Sequence, residues 1–296
     1  MCIRDRNCSC GDTLNESWVM PYDMECNGTA LYIGANSITL DCNGHHIKGN
    51  GTGSGIEWSS RYDYVTIKNC EIYNFSNGIN ENELGAYSAK ILNNNIHDIT
   101  WYGIRISKAY YVDYAEIKFN NISNSHYGLF FNGRYSKIEN NIFKNNNIGI
   151  AHYFNSNVHR NNTYIGNTKA IYSASCVAFG HEFFNEKIIN NVHAFFDVLG
   201  CDCYNNPWYS HNFFDILLIG DNNKFYTSSD GCYVNITNYT GTITIDTTGD
   251  VNNISWTNNY TTFGTFTDGG AGTDKAYYTF ALQDKGVITL SVKDDT

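Results

Sequence analysis

A glycine followed by an aliphatic residue returns along this chain at Gly55-Ile56, Gly78-Ile79, Gly103-Ile104, Gly128-Leu129 and Gly149-Ile150. The steps are 23, 25, 25 and 21 residues, and a degenerate copy follows at Ala170-Ile171. A period in this range implies stacked structural units, none of which can bury its apolar side alone. Two further markers keep step with the first. Asn-Asn pairs stand at Asn94-Asn95, Asn120-Asn121, Asn140-Asn141 and Asn161-Asn162, and aliphatic residues recur at Ile67, Ile91, Ile117, Ile138 and Val158.

Each period therefore holds three short apolar pieces of about four residues with inward-outward alternation, too short for sandwich strands and too β-branched for helices. They suit the three faces of a coil. Stacked about 4.8 Å apart, such coils line isoleucine over isoleucine inside and turn each face into a parallel sheet. The fold class expected is all-β: a right-handed single-stranded parallel β-helix, a three-sheet solenoid, with a small C-terminal β-rich segment. Asparagine tolerates left-handed backbone at the corners and bonds along the stack, and glycine is expected to do similar duty at another corner. A leucine-rich repeat has an overlapping period but needs a leucine ladder and a helical back, and both are missing.

The segment Ile38-Thr39-Leu40-Asp41-Cys42-Asn43-Gly44-His45-His46-Ile47, followed by the Gly-Ile and Asn-Asn-Ile repeats, resembles the NosD-like and carbohydrate-binding/sugar-hydrolase group of the pectin lyase-like superfamily. The resemblance covers roughly residues 26 to 200. It implies the β-helix fold, and a range of activities that includes polysaccharide lyases, glycoside hydrolases, epimerases and proteins without catalysis.

Along the chain, residues 1–36 are expected to form a start and cap, 37–220 the coils, and 221–296 a threonine-rich antiparallel segment, possible as a small sandwich or a sheet against the helix. The opening Met1-Cys2-Ile3-Arg4-Asp5-Arg6 lacks the apolar core and cleavage site of a signal peptide and resembles an adapter-derived start, in which case Cys2 stands outside the fold. The chain stops just after a strand-like run, as a fragment would.

Charged residues make up 16% of the chain against the ~25% usual for globular domains, so asparagine, serine, threonine and tyrosine must supply the wet surface. A net charge of −10 without any basic cluster argues against nucleic acid as a partner. No apolar run approaches the ~20 residues of a membrane-spanning helix. Ten cysteines point to an oxidising, extracellular or cell-surface location. The disulfide candidates are Cys8, Cys10, Cys26, Cys42, Cys201 and Cys203, with Cys8 or Cys10 joined to Cys26 or Cys42 at the N-terminal end. The pairs Cys8-Ser9-Cys10 and Cys201-Asp202-Cys203 lack zinc-finger partners, and no two histidines share a metal-site spacing, so no metal ligands are assigned and the histidines read as surface residues. Sequons such as Asn121-Ile122-Ser123 fit a glycoprotein.

Three functions compete. Aromatic residues in the coil loops, Trp58, Trp101, Tyr102, Tyr110 and Tyr127 foremost, could stack on sugar rings, which makes a polysaccharide or glycan the expected partner. A calcium-assisted polysaccharide lyase would need carboxylates for the ion and a basic side chain for proton abstraction. Asp98, Arg105, Lys108 and Asp113, with His126 and His152 in later coils, are the candidates, and Arg105 or Lys108 would be the base. The third reading is a structural surface-layer or adhesin-like stalk. A polygalacturonase-like hydrolase is disfavoured, because its Asp-Asp, Gly-His-Gly and Arg-Ile-Lys motifs are missing from the coils.

Overall fold

A computed structural model describes residues 8–82, 85–107, 113–152, 157–173, 181–197, 210–219, 224–227, 233–247, 263–267, 276–282 and 287–291. For residues 196, 197, 210–212 and all those after 219 only the backbone is described.

The described chain is all strand and turn, wound as a parallel solenoid. Its first face stacks Thr39–Asp41, Thr66–Lys68, Lys90–Leu92, Glu116–Lys118, Lys137–Glu139, Val158–Arg160 and Glu182–Phe184 in parallel register. The second face includes His46–Lys48, Glu71–Tyr73, Ile142–Lys144 and Thr163–Ile165. The third includes Leu31–Ile33, Ser54–Trp58, Asn77–Asn80, Ile148–His152 and Lys169–Ser173. Two longer strands, Asn95–Ile106 and Asn121–Phe131, run through a corner and serve both second and third faces.

The Gly-aliphatic repeat holds in full. Ile56, Ile79, Ile104, Leu129, Ile150 and Ile171 lie in one register, every one of them buried. The glycines act differently from expectation. None of Gly55, Gly78, Gly103, Gly128 and Gly149 has a positive φ. They are required by close approach instead: a Cβ on Gly103 would lie 2.6 Å from the carbonyl oxygen of Gly128 and 2.6 Å from Ile122 Cγ2.

Left-handed backbone is concentrated at the corners, one column to each. One column contains Asn69, Asn93, Phe119, Asn140, Asn161 and Asn185, another Asn74, Asp98, Asn124, Asn145 and Asn190, and the third Ser37, Tyr64, Ser88, Tyr114 and Tyr135. A separate set of asparagines is buried and forms ladders. Asn94, Asn120 and Asn141 each donate from their side-chain amide to the next rung's carbonyl oxygen, ending at Asn162, over 2.9–3.0 Å. The same amides also donate to backbone carbonyls of the preceding coil, at Ile67, Ile91 and Ile117. Each buried amide is thereby satisfied, as a polar group inside a hydrocarbon core must be. A second ladder joins Asn146, Asn167 and Asn191.

The expected asparagine pairing is off by one residue beyond Asn121. Asn121 pairs with Ile142, and Ile122 with Phe143, so Phe143 points inward and Ile142 outward. The third marker slips likewise: His159, not Val158, continues the buried column of Ile67, Ile91, Ile117 and Ile138.

Coils also begin earlier than residue 37. Asp12–Leu14, Trp18–Val19 and Met24–Glu25 already pair in parallel with the next coil. At the other end Tyr233–Thr247 pairs in parallel with Ser210–Ile219 and Lys224–Thr227, so coils extend past residue 220. The antiparallel strands expected of the C-terminal segment follow directly. Ala276–Leu282 and Val287–Ser291 pair antiparallel with Tyr233–Thr247, and Phe263–Thr267 with Ala276–Leu282.

Among the described residues, the disulfides Cys10–Cys26 and Cys42–Cys70 join neighbouring coils. The first lies among the expected pairings. The second takes Cys42 to Cys70, which was not among the candidates. The Cys70 amide donates to Asn94 Oδ1, so this bridge stands at the head of the asparagine ladder. Cys8 is buried and also disulfide-bonded, while Cys201 and Cys203 lie outside the described residues.

Candidate functional site

Where Asn95–Ile106 rounds its corner it carries one more residue between Ile99 and Tyr102 than its neighbour carries between Ser125 and Tyr127. A bulge of this kind re-aims side chains. Trp101 lies inside it, with its backbone amide anchored to the Ser76 carbonyl at 2.9 Å and its side chain half exposed, at 51%. The indole meets His126 edge-on at 5.4 Å, and His126 in turn meets Tyr127 at 4.6 Å. Tyr127 stacks on Tyr102 at 5.1 Å, with Phe130 edge-on to both. The Arg105 guanidinium lies 5.2 Å from the Tyr102 ring centre and 6.0 Å from that of Phe130. Burial, and then the neighbouring phenols of Tyr102 and Tyr172, holds the Tyr127 hydroxyl above its ordinary range, so it stays protonated and able to donate. Two successive coils thus present one continuous tract of aromatic rings ending in a cation.

A second aromatic tract follows the corner that leads into the first face. Tyr64, Tyr87, Tyr114 and Tyr135 succeed one another at 5.5–5.7 Å, three of them more than half exposed. Tyr64, Tyr114 and Tyr135 also have positive φ, a conformation that costs a non-glycine residue about 1–2 kcal/mol.

Among the expected sugar-stacking residues, Trp101, Tyr102 and Tyr127 come together. Trp58 does not join them: it is 1% exposed in the core, its indole donating to the Tyr62 carbonyl at 3.2 Å. Tyr110 and Lys108 lie outside the described residues.

The charged candidates are distributed around the coil. Asp98 occupies a left-handed corner, where hydrogen bonds from His97 and Asn124 hold its carboxyl below the usual range. Asp113 forms a two-pronged ion pair with Arg134, at 2.9 Å on each prong. Arg105 stands over the aromatic tract. Each group is engaged with neighbours of its own. His152 is fully buried, which corrects its expected place with the surface groups.

The expectation of surface histidines holds for His45, His46, His97 and His126, all partly exposed. It fails for His152, His159 and His181. These are buried together, with ligand-capable nitrogens within 4.8 Å of one another, the one such group of three or more His, Cys, Asp or Glu side chains among the described residues. No sequence spacing announces the group, because its members come from three different strands or corners.

The coils, ladders and corner columns define a parallel β-solenoid with an aromatic flank. The chain belongs to the right-handed β-helix family, whose model, described as the right handed beta helix region, matches residues 29–191, more than half of the sequence. No curated protein matches the sequence. Among solved structures, the alginate lyase from Paenibacillus sp. str. FPU-7 is similar at 17% identity over 71% of this chain and 75% of that one, with a TM-score of 0.40. The tailspike gp61 of Pseudomonas phage phi297 is similar at 9% identity over 90% of this chain and 66% of that one, with a TM-score of 0.23. At these values neither likeness carries an argument about activity. Among the described residues no helix is long and apolar enough to cross a membrane.

Proposed function

We propose that this β-helix is an extracellular or cell-surface protein that binds a polysaccharide or other glycan along the tract running from Trp101 to Arg105. The observation that carries the reading is Trp101 itself, a large apolar ring held half exposed on a bulge and continuous with the Tyr102–Tyr127 stack. Leaving such a ring in water forgoes part of the roughly 1.5–3 kcal/mol that burying a large apolar side chain returns, a loss that a sugar's C–H face laid on the indole would recover. Arg105 and the Tyr127 hydroxyl supply donors for sugar hydroxyls or carboxylates beside it. The disulfides favour an oxidising compartment. Binding is preferred to calcium-assisted elimination because Asp98, Arg105 and Asp113 are engaged separately.

The test is affinity electrophoresis against neutral and uronate polysaccharides, followed by titration with the ligands that retard the protein. Trp101→Ala is expected to weaken binding at least tenfold with an unchanged circular dichroism spectrum. Absence of retardation on every polymer, or equal affinity in the variant, would overturn the reading. New absorbance from unsaturated product would replace binding with lyase chemistry.

A further inference from the structure

The interior of a β-helix is normally hydrocarbon, and in most of this one it is. The interior changes character where the third face turns into the first, beyond Phe131. In the column that includes Ile106 and Phe131 the next residues inward are His152 and Ser173. The column of Ile117 and Ile138 continues with His159 before returning to Phe183 and Phe213. At the adjoining corner Asn157 is followed one coil later by His181. Three independent columns thus switch to histidine within neighbouring coils, and all three side chains meet. His152 and His159 are 0% exposed and His181 is 3% exposed. Their ring centres are 4.6 Å (His152 to His159), 4.5 Å (His152 to His181) and 5.8 Å (His159 to His181) apart. Phe183 stacks on His159 at 4.4 Å and closes the group on one side.

Three imidazoles gathered in an apolar interior set a compact group of nitrogen donors side by side. Neutral imidazole is a borderline donor that suits zinc and its first-row neighbours, and three such donors make a site with one coordination position left over. Ligands about 2.0–2.1 Å from one tetrahedral ion lie about 3.4 Å apart, and the nitrogens of the three rings lie within 4.8 Å of one another.

We propose that His152, His159 and His181 bind a single zinc-class divalent ion inside the solenoid, tying the coils around residues 148–184 together from within. This site is separate from the aromatic tract and does not depend on glycan binding. An ion held there stabilises the folded chain, because the three ligands come together only when the coils stack.

The experiment uses the whole chain stripped with a chelator, dialysed, and titrated with Zn²⁺ or Co²⁺ alone. One equivalent is expected to be retained by elemental analysis, to raise the thermal midpoint, and with cobalt to give the visible absorption of a four-coordinate ion. His159→Phe, which places in the column the residue that follows it at 183, and His152→Phe, matching Phe131, are expected to lose at least a hundredfold in affinity. His45→Ala with His46→Ala, at the exposed pair beside Asp23, is expected to leave that stoichiometry intact. Should the phenylalanine variants not fold, X-ray absorption on the zinc-loaded wild-type chain decides, and three imidazole ligands are expected. No retained ion, retention unchanged in both folded variants, or fewer than three imidazoles at the metal would overturn the proposal.

Discussion

The side-chain amide of Asn162 donates to the Glu186 carboxyl at 3.2 Å, so that a glutamate occupies the rung after four asparagines. Glu186 is 0% exposed, and burial pushes its pKa well above the ordinary 4.5, against the lowering effect of the hydrogen bond from Asn162. Burial favours the neutral form of its carboxyl, in an environment built for amides.

The pH dependence follows from that raised value. Below about pH 4.5 the carboxyl is protonated in both folded and unfolded chains and costs nothing. As the pH rises further the unfolded chain gives up its proton while the folded chain holds it, so stability falls until the folded pKa is passed. Glu186→Gln, which keeps the shape and adds an amide, is expected to match the wild type near pH 4 and to exceed it as the pH rises above about 4.5. Urea unfolding at a series of pH values measures this, and parallel curves for the two proteins would contradict it.

Phe119 stands with φ 60° in a corner column otherwise filled by Asn69, Asn93, Asn140 and Asn161, and it is 59% exposed. Asn93 already donates to Asn69 Oδ1 along this column at 2.8 Å. Phe119→Asn removes a left-handed phenylalanine and extends that line of amides, so a gain of about 1 kcal/mol is expected. By calorimetry the midpoint should rise by roughly 2–4 °C. A fall would show that the phenyl ring contributes packing that its exposure conceals.

Gly103→Ala is expected to destabilise by about 3 kcal/mol, because the new methyl would meet the Gly128 carbonyl at 2.6 Å and backbone cannot yield cheaply inside a stack. Gly44→Ala makes the contrast. Gly44 has φ +84° with open space around its Cβ position, so only the conformational penalty applies, about 1 kcal/mol. Chemical denaturation of both variants should give that order, and the reverse order would refute the close-approach explanation of the repeat glycines.

The Cys42–Cys70 bridge spans a separation of 28 residues at the head of the ladder. Loop-closure entropy for that length puts the loss on replacing both cysteines by serine at about 3–4 kcal/mol. Equilibrium unfolding of the double variant against the oxidised wild type measures it, and a loss below about 1 kcal/mol would mean that the Asn94 ladder holds these coils unaided.

Much of the solenoid is legible from local pattern, since the Gly-aliphatic column is enforced by a backbone collision that no other residue avoids as well. The slips come where corner loops change length. From Asn94 to Asn120 the ladder advances 26 residues and from Asn120 to Asn141 only 21. With a side-chain period of two, a one-residue error turns a strand inside out. Ile142-Phe143 offers two apolar residues in succession, and Val158-His159 offers an apolar one beside a polar one, so hydrophobicity alone selects the wrong member both times. The same slip hides His159, and with it the buried histidine group. Trp58 differs from expectation for a related reason: a tryptophan at the end of a strand reads as a loop aromatic until the depth of the coil beneath it is known.

By itself, the sequence determined that the chain coils, with what period, which Gly-aliphatic pairs stack, and that antiparallel strands follow the coils. Those features repeat, and repetition turns a weak local preference into a firm pattern. Tertiary structure decided which of two neighbouring residues faces inward, which asparagines form corners and which form ladders, that Cys42 pairs with Cys70, that Trp101 stands outside and Trp58 inside, and that His152, His159 and His181 meet. Each depends on how one coil registers against the next, a distance of about 4.8 Å in space and some twenty to twenty-six residues in sequence.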